Sequence, residues 1–275
     1  MLDPNLSNSL TSSASSTASM TSPSYQDRFQ RTQLILGEEA QRHLQQSRVA
    51  VVGLGAVGGY ALEALARLGI GEFLLIDFDV VQASNFNRQL LAIEPNLGRL
   101  KAECARERVL AINPEAKVTI RSEFFHAEAF EQLLGDFAGV EAHRKHLVVD
   151  CIDSLNPKVT LLELLFRNKI PVLSSMGAAC RSDPQAVRIG DISEVSLCPL
   201  GSRVRARLRR RQIPQGIRCV YSVEPPLPPL KSEAPLSLSP VSRGRPRQAI
   251  GSLSFMTGIF GLTLASEAWR YLLSR

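Results

Sequence analysis

The stretch RVAVVGLGAVGGYALEALARLGIGEFLLID, residues 48–77, decides the fold. Residues 49–52 form a short apolar run with three β-branched side chains, which is typical of a buried parallel strand. The sequence predicts a helix over 57–68 and a second strand over 73–76. Strand, helix and strand in this order form the repeating unit of a doubly wound α/β sheet. We therefore predict an α/β fold with a mainly parallel, Rossmann-like sheet.

Three glycines lie between the first strand and the helix. Gly53, Gly55 and Gly58 have the G-x-G-x-x-G spacing of a phosphate-binding turn. Glycine lets the backbone turn tightly and approach a phosphate, and the following helix N-terminus offers unpaired N–H groups. Asp77 ends the second strand at the place expected for a ribose-binding carboxylate. This pattern predicts nucleotide binding, and taken alone it favours NAD.

The residues after Asp77 argue against NAD. Asp79, Asn85 and Arg88 lie in a polar loop, and the next predicted helix, 100–112, opens with Lys101 near its N-terminus. Hydride transfer needs no arginine there, whereas a triphosphate does, because the guanidinium presents a fixed fork of donors to phosphate oxygens. The loop therefore favours ATP, and we expect Asp79, Asn85, Arg88 and Lys101 to be among the residues that bind it.

A further acid follows the strand predicted over residues 147–150. Asp153 lies where the carboxyl end of a parallel strand faces the ligand crevice, and a carboxylate there can hold Mg²⁺. Taken singly, Arg88, Lys101 and Asp153 are more simply solvated surface charges. Because all three fall at strand ends or helix starts of one sheet, together they predict a site for ATP and Mg²⁺.

The motifs GxGxxG, LLIDFD, SNFNRQ, GRLKAE and CIDS occur in this order between Gly53 and Ser154. With these motifs the chain resembles, over residues 25–224, the adenylation domain of the ubiquitin-activating-enzyme superfamily. The resemblance implies that Asp77 binds ribose and that Asp153 coordinates Mg²⁺. It also implies that Arg88 and Lys101 bind the phosphates of ATP.

The same resemblance concerns the segment RFQR, residues 28–31. In the superfamily an arginine of this segment reaches the ATP of a partner subunit. The resemblance therefore implies a homodimer, with Arg31 as the residue that each subunit contributes to the site of the other.

Within the superfamily, residues 28–40, 174–200, 216–226 and 251–273 resemble one branch, the tRNA threonylcarbamoyladenosine dehydratases. Enzymes of this branch are ligase-type: they adenylylate the threonyl carboxylate of a modified adenosine beside the anticodon, and the modification then cyclises. Activation of a ubiquitin-like or sulfur-carrier protein is the alternative, and a sulfur-transfer partner is compatible with either activity. A non-catalytic nucleotide sensor is disfavoured because Arg88, Lys101 and Asp153 are all present.

The cysteines bear on these alternatives. None of the five lies within three or four residues of another, so a Cys₄ zinc site of the usual spacing is excluded. An odd count without a secretory signal indicates reduced thiols and a cytoplasmic location. Cys198 or Cys219 could form a thioester, as in activators of ubiquitin, but a small buried side chain is the favoured interpretation.

Composition divides the chain into segments. Residues 1–24 are dominated by Ser, Thr, Asn and Ala and predict a disordered tail. Residues 25–275 predict a single adenylation domain, with a flexible insertion rich in Pro, Ser and Arg at 225–247. Residues 248–266 carry no charge, and their glycines and hydroxyl groups favour a buried or interface helix over a membrane span.

The net charge of +6 is partly concentrated in one run. The arginines of this run are Arg203, Arg205, Arg207, Arg209, Arg210 and Arg211. A basic run is usually a solvated face, but for an enzyme that acts on tRNA it predicts contact with phosphates. The same surface would also suit an acidic protein partner.

Overall fold

The computed structural model describes residues 23–138, 145–228 and 250–274. The strands of this part of the chain form one sheet in the order β3-β2-β1-β4-β5-β7-β6. The strands are β1 (Arg48–Val52), β2 (Glu72–Ile76), β3 (Lys117–Arg121), β4 (His146–Asp150), β5 (Val172–Ser175), β6 (Val187–Asp191) and β7 (Arg218–Ser222). All neighbouring strands run parallel except β6 and β7, which are antiparallel. The predicted mainly parallel α/β sheet is confirmed.

Helices cover both faces of the sheet. They are α1 (Tyr25–Leu36), α2 (Glu38–Gln46), α3 (Gly58–Arg67), α4 (Lys101–Ile112), α5 (Phe130–Ala138), α6 (Leu155–Arg167), α7 (Pro199–Arg210) and α8 (Ser254–Leu273). The predicted helices over 57–68 and 100–112 correspond to α3 and α4.

Residues 49–52 of the central strand β1 are all apolar because both faces of the strand are buried. Val49 and Val51 belong to the core under α3, α4 and α8, whereas Ala50 and Val52 belong to the core under α5 and α6. Successive side chains of a strand point to opposite faces, so a sheet covered on both sides buries all of them. Parallel pairing with β2 and β4 sets the direction of β1, whose carboxyl end leads into the glycine turn.

The uncharged C-terminal stretch forms a buried helix that begins at Ser254, later than the start of the stretch at residue 248. Met256, Phe260 and Leu264 are fully buried, and α8 packs against α3. Gly261 permits this approach, because a Cβ atom there would lie 2.5 Å from the carbonyl oxygen of Val57. In the part of the chain that the structure describes, no helix has both the length and the hydropathy needed to cross a membrane.

Most of the predicted tail (1–24) and insertion (225–247) lies outside the described residues. The described residues at the edges of these two segments form specific hydrogen bonds. Ser24 caps α1 in a capping box, since its Oγ accepts from the amide of Asp27 and its own amide donates to the Asp27 carboxylate. The amide of Leu227 donates to the carbonyl of Cys180 at 2.9 Å.

Candidate active site

The predicted site residues gather at the carboxyl edge of the sheet. Gly53 follows β1, Asp77 follows β2 and Cys151 follows β4. The strand order reverses between β1 and β4, because β1 connects outward to β2 while β4 connects outward to β5. In open α/β sheets, ligands bind at such a switch point, outside the carboxyl ends of the strands.

Two glycines of the turn are required by the packing of the chain itself. Gly53 has φ of 91°, and a Cβ atom there would lie 2.9 Å from the carbonyl oxygen of Cys151. A Cβ on Gly58 would lie 1.8 Å from the carbonyl oxygen of Gly53. Gly55 differs, since the nearest atom to its Cβ position is Nε2 of Gln89, at 3.8 Å. The missing side chain of Gly55 therefore leaves open space over the turn, which fits a bound phosphate.

Asp77 fastens the glycine turn to the end of β2. It is 8% exposed; Oδ2 accepts from the amide of Leu54 at 2.6 Å, and Oδ1 accepts from the amide of Asp79 at 2.8 Å. Burial raises the pKa of Asp77 above its usual value, while the charge of Lys101 and these N–H donors oppose the shift. Besides the predicted ribose contact, Asp77 thus has a structural role in the turn.

Lys101 begins α4 beneath this loop. It is 4% exposed, and its Nζ lies 3.1 Å from Oδ2 of Asp79. The Lys101 amide also donates to the Asp79 carbonyl, next to an antiparallel bridge between Val80 and Leu100. The structure therefore brings Asp77, Asp79 and Lys101 together beside the glycine turn.

The loop that carries Arg88 has its own internal bonds. Asn85 is 7% exposed and shares a capping box with Gln82, so its side chain orders the loop. Arg88 Nη1 donates to the Ser84 carbonyl and to Oδ1 of Asn87, each at 2.8 Å. Nε2 of Gln89, the residue after Arg88, lies 3.8 Å from the Cβ position of Gly55, so this end of the loop lies next to the glycine turn.

Asp153 is exposed on the turn after β4, where Oδ1 accepts from the hydroxyl of Ser154. Below it lies a buried ion pair between Asp150 and Lys158 that the sequence analysis missed. The sequence does contain a signal for this pair. An acidic residue ends an apolar strand, and a lysine follows among the apolar positions of the next helix. Buried charges are seldom tolerated unless they are paired.

Arg31 lies apart from these residues within the chain. It is exposed on α1, and its side chain makes no hydrogen bond or ion pair with the residues that the structure describes. Nothing in the described chain joins it to the glycine turn, so its predicted role requires a partner subunit.

Three of the six arginines in the run form hydrogen bonds within the protein. Arg205 donates to the carbonyls of Ser193 and Val195. Arg207 bonds to the side chain of Asn156, and Arg211 to that of Glu163. The exposed members, whose side chains make no hydrogen bond to any described residue, are Arg203, Arg209 and Arg210.

The two candidate nucleophilic cysteines are buried, each 1% exposed. Burial raises the pKa of Cys219 well above its usual value. Cys198 caps α7, and its Sγ accepts from the amides of Gly177 and Gly201 at 3.3 Å. Both thiols therefore pack as small core residues.

No group of three or more His, Cys, Asp or Glu side chains that could hold a metal occurs within residues 23–138, 145–228 and 250–274. Mg²⁺ does not need such a group. It is commonly held by one or two carboxylates together with substrate phosphates and waters. An exposed carboxylate such as that of Asp153, on the turn whose Cys151 packs against Gly53, fits this requirement.

Comparison with known proteins decides the family. The model of the ThiF family matches residues 27–275. The chain belongs to the ThiF family. This ThiF-family protein is 32% identical over 265 residues to the tRNA threonylcarbamoyladenosine dehydratase of Escherichia coli (strain K12), with 92% of this chain and 96% of that protein covered.

The crystal structure of the Escherichia coli dehydratase in complex with ATP is similar to the present fold, with a TM-score of 0.78 and coverage of 92% of this chain and 96% of that one. Similarity to the molybdopterin-synthase adenylyltransferase of Escherichia coli is 36% but spans only 54% of this chain and 55% of that protein. The resemblance to the dehydratase branch, stated from the motifs, is confirmed.

Proposed function

We propose that this protein is an ATP-dependent tRNA threonylcarbamoyladenosine dehydratase, in which residues 25–275 act as one adenylation domain. The observation that carries the proposal is the end-to-end similarity to such a dehydratase, in a chain whose glycine turn, Asp77 and Lys101 meet at one sheet edge. Similarity to the adenylyltransferase of molybdopterin synthase covers little more than half of the chain. The dehydratase is therefore favoured over an activator of carrier proteins.

The proposed reaction has two steps. The threonyl carboxylate of the modified adenosine attacks the α-phosphate of ATP, which releases pyrophosphate and forms an acyl-adenylate. A nucleophilic group of the same modified nucleoside then attacks the acyl carbon, loses a proton and releases AMP as the ring closes. The nucleophile is tethered to the activated carboxyl, so no enzyme thioester is needed. The burial of Cys198 and Cys219 supports this route.

The residues of the chain act by positioning and charge. The N–H groups of the glycine turn and of the α3 N-terminus bind phosphate oxygens. Asp77 binds the ribose. Arg88 and Lys101 stabilise the negative charge that develops on the phosphates. Asn85 orders the loop that presents Arg88, and Asp79 holds Lys101 until a phosphate replaces it.

Asp153 is the residue that would hold Mg²⁺. The metal supplies positive charge where the substrate carboxylate approaches an already anionic phosphate. The exposure of Asp153 and the space over Gly55 support this assignment.

The proposed tRNA-binding surface consists of Arg203, Arg209 and Arg210. Arg203 and Arg210 are seven positions apart, so they share one face of α7. Cys198 at the start of α7 contacts Gly177, just beyond β5, so the N-terminal end of α7, near Arg203, lies beside the carboxyl edge of the sheet. Arg209 and Arg210 lie at the other end of α7, where Arg167 at the end of α6 donates to the carbonyl of Arg211. Since tRNA and ATP are both found in the cytoplasm, we propose that the enzyme acts there.

The proposed homodimer can be tested by mixing two inactive variants. If Arg31 acts on the partner's ATP, Arg31→Ala and Asp153→Asn should each be inactive alone. A mixed dimer should regain one complete site, because Asp153 comes from one subunit and Arg31 from the other. Absence of recovery in a sample shown to contain mixed dimers would contradict this role for Arg31.

The dehydratase activity itself is tested on nucleosides. Modified tRNA is incubated with the protein, ATP and MgCl₂, digested, and analysed by mass spectrometry. Loss of one water from threonylcarbamoyladenosine, with release of AMP and pyrophosphate, is the expected result. Matched tRNA that lacks the modification should release no pyrophosphate. An unchanged nucleoside, together with adenylylation of an added sulfur-carrier protein, would favour the alternative.

A further inference from the structure

The carboxylate of Asp150 and the ammonium group of Lys158 form an ion pair beneath the switch point of the sheet. Nζ lies 2.7 Å from Oδ2, and both side chains are 0% exposed. Asp150 is the last residue of β4, and Lys158 lies in the first turns of α6. The segment between them carries Asp153.

The pair binds both backbone polar groups of a single residue. Oδ1 of Asp150 accepts from the amide of Ile152 at 3.0 Å, and Nζ of Lys158 donates to the carbonyl of Ile152 at 2.9 Å. The hydroxyl of Ser174 donates to Oδ2 of Asp150 at 2.6 Å. Ile152 directly precedes Asp153, so these bonds restrict the backbone from which the Asp153 side chain extends.

The same turn is also fixed against the glycine turn. The Cys151 amide donates to the Val52 carbonyl at 2.8 Å. The Cys151 carbonyl oxygen occupies the space that a side chain on Gly53 would take. The ion pair therefore fixes Asp153 relative to the open space over the phosphate-binding turn.

Stability alone does not account for this pair. The neighbouring residues of α6 that are fully buried are apolar: Val159, Leu161 and Leu162. In such a core, a buried ion pair is on average no more stabilising than apolar side chains of similar volume. The charge of Lys158 is also compensated by Asp150, so it is not available to neutralise phosphates. What apolar side chains could not supply is the pair of bonds to Ile152.

We propose that Asp150 and Lys158 are positioning residues for the adenylylation step. They hold the Ile152 backbone so that the Asp153 carboxylate faces the α-phosphate of ATP bound at the glycine turn. This inference rests on the proposed function for its kinetic consequence, but its structural consequence is independent of any activity.

The test uses the double variant Asp150→Asn/Lys158→Met, which keeps the approximate volumes and leaves no unpaired buried charge. Its melting temperature should stay close to that of wild type. The kcat for pyrophosphate release should fall about tenfold or more, with little change in the KM for ATP, because only positioning at the transition state is lost. In an Asp153→Asn background the same double change should have almost no further effect, since it acts through Asp153.

A readout without ligand or metal separates this inference from the proposed function. Hydrogen exchange of the peptide spanning residues 150–156 should be faster in the double variant than in wild type. The matched control is Arg218→Met/Glu267→Gln, which removes another ion pair, with Nε 2.7 Å from Oε1, between β7 and α8. This control should leave kcat and the exchange of 150–156 unchanged.

Unchanged kcat and unchanged exchange in the folded double variant would overturn the inference, as would an equal loss of kcat in both backgrounds. Wild type that releases no pyrophosphate with modified tRNA would refute the proposed function instead, and the exchange data would still decide the positioning role. If the double variant does not fold, Ser174→Ala removes one bond to Asp150 and leaves both charges. Faster exchange of 150–156 in that variant supports the inference, and unchanged exchange opposes it.

Discussion

Lys101 and Asp79 form an ion pair in which the lysine is buried and the carboxylate is half-exposed. Nζ lies 3.1 Å from Oδ2, and the two side chains are 6% and 46% exposed. The arrangement keeps the lysine charge compensated before a nucleotide arrives. Under the proposed phosphate contact of Lys101, an incoming phosphate would take the place of Asp79, because a half-exposed carboxylate is readily hydrated when it is displaced.

Replacing Lys101 with Met should therefore impair function more than stability. Asp79 can be solvated in the variant, so the melting temperature should change little. The kcat/KM for ATP should fall by about a hundredfold or more, as expected when a preorganised charge at the phosphates is lost. Steady-state pyrophosphate release and thermal melts measure the two effects. Lys117→Met, at an exposed position of β3, should change neither, and a large melting shift in Lys101→Met would make Lys101 structural.

The anchoring of α1 gives a second prediction. The Tyr25 hydroxyl donates to the Gly69 carbonyl at 2.5 Å and accepts from Nε2 of Gln41 at 2.9 Å. Tyr25→Phe leaves buried polar groups without this partner. It should lower the free energy of unfolding by about 1–3 kcal/mol. Urea denaturation measures this change, and an unaltered midpoint would show that the bonds contribute nothing net.

The same tyrosine makes a defined contribution to pH dependence. Burial raises the pKa of Tyr25 from 10.0 to about 12. Between these values the folded protein keeps the proton that the unfolded chain has lost, so stability falls as the pH rises through this window. The stability difference between wild type and Tyr25→Phe should therefore shrink from pH 10 to about pH 12. A difference that stays constant over this range would contradict the raised pKa.

The elements around the glycine turn could be predicted because their signals are local. A strand buried on both faces is continuously apolar, and the packing around Gly53 and Gly58 requires glycine. The Asp150–Lys158 pair could not be predicted in the same way. Its partners lie on different elements, and only the tertiary structure shows that both side chains are fully buried. Asn85, predicted from sequence to bind the nucleotide, also orders its own loop.

The arginine run shows the same limit. The sequence predicts a basic surface but cannot say which members are free. In the structure, Arg205 bonds to backbone carbonyls and Arg211 to Glu163, which lies on α6. These partners are distant in sequence, so local patterns contain no information about them.

Reversing the three exposed arginines should weaken tRNA binding specifically. The triple variant Arg203→Glu, Arg209→Glu, Arg210→Glu should bind tRNA much more weakly while its affinity for ATP is unchanged. The slope of log affinity against log salt concentration should become shallower by about two to three. Each phosphate that the variant no longer neutralises keeps its counterions, so fewer are released on binding. Filter binding at several salt concentrations measures both quantities.

A matched control distinguishes the effect of where the charge lies from the effect of the total net charge on tRNA binding. Three exposed basic residues on other elements, changed to Glu together, alter the net charge equally: Arg42, Arg106 and Lys117. This control should bind tRNA with a salt slope close to that of wild type. If both triple variants weaken binding equally, the effect is one of total charge, and α7 is not the tRNA-binding surface.

The cysteines should be dispensable for the chemistry. Cys198→Ala and Cys219→Ala each remove a buried side chain, and the former also removes an acceptor for two amides. Each should cost about 1–3 kcal/mol of stability. Turnover per folded molecule in the double variant should remain close to that of wild type. A trapped enzyme thioester, or loss of turnover in a folded sample, would instead support activation of a carrier protein.

Substitutions of Asp153 and Asp77 should have different kinetic effects, the first on kcat and the second on the KM for ATP. Adenylylation brings a carboxylate up to an anionic phosphate, and in the proposed site Mg²⁺ held by Asp153 would offset that repulsion. Asp153→Asn keeps the shape and loses the charge. ATP should still bind, because the glycine turn, Asp77 and Lys101 are intact. Pyrophosphate release at saturating ATP should fall by about a hundredfold or more.

Asp77→Ala should chiefly raise the KM for ATP. It removes the proposed ribose contact and also releases the amides of Leu54 and Asp79, so the glycine turn loses its link to β2. Because this loss affects binding of the nucleotide before the reaction, raising the ATP concentration should restore much of kcat. The Asp153→Asn defect should persist at any ATP concentration. Normal turnover of Asp153→Asn at saturation would make Asp153 a structural residue and remove it from the metal site.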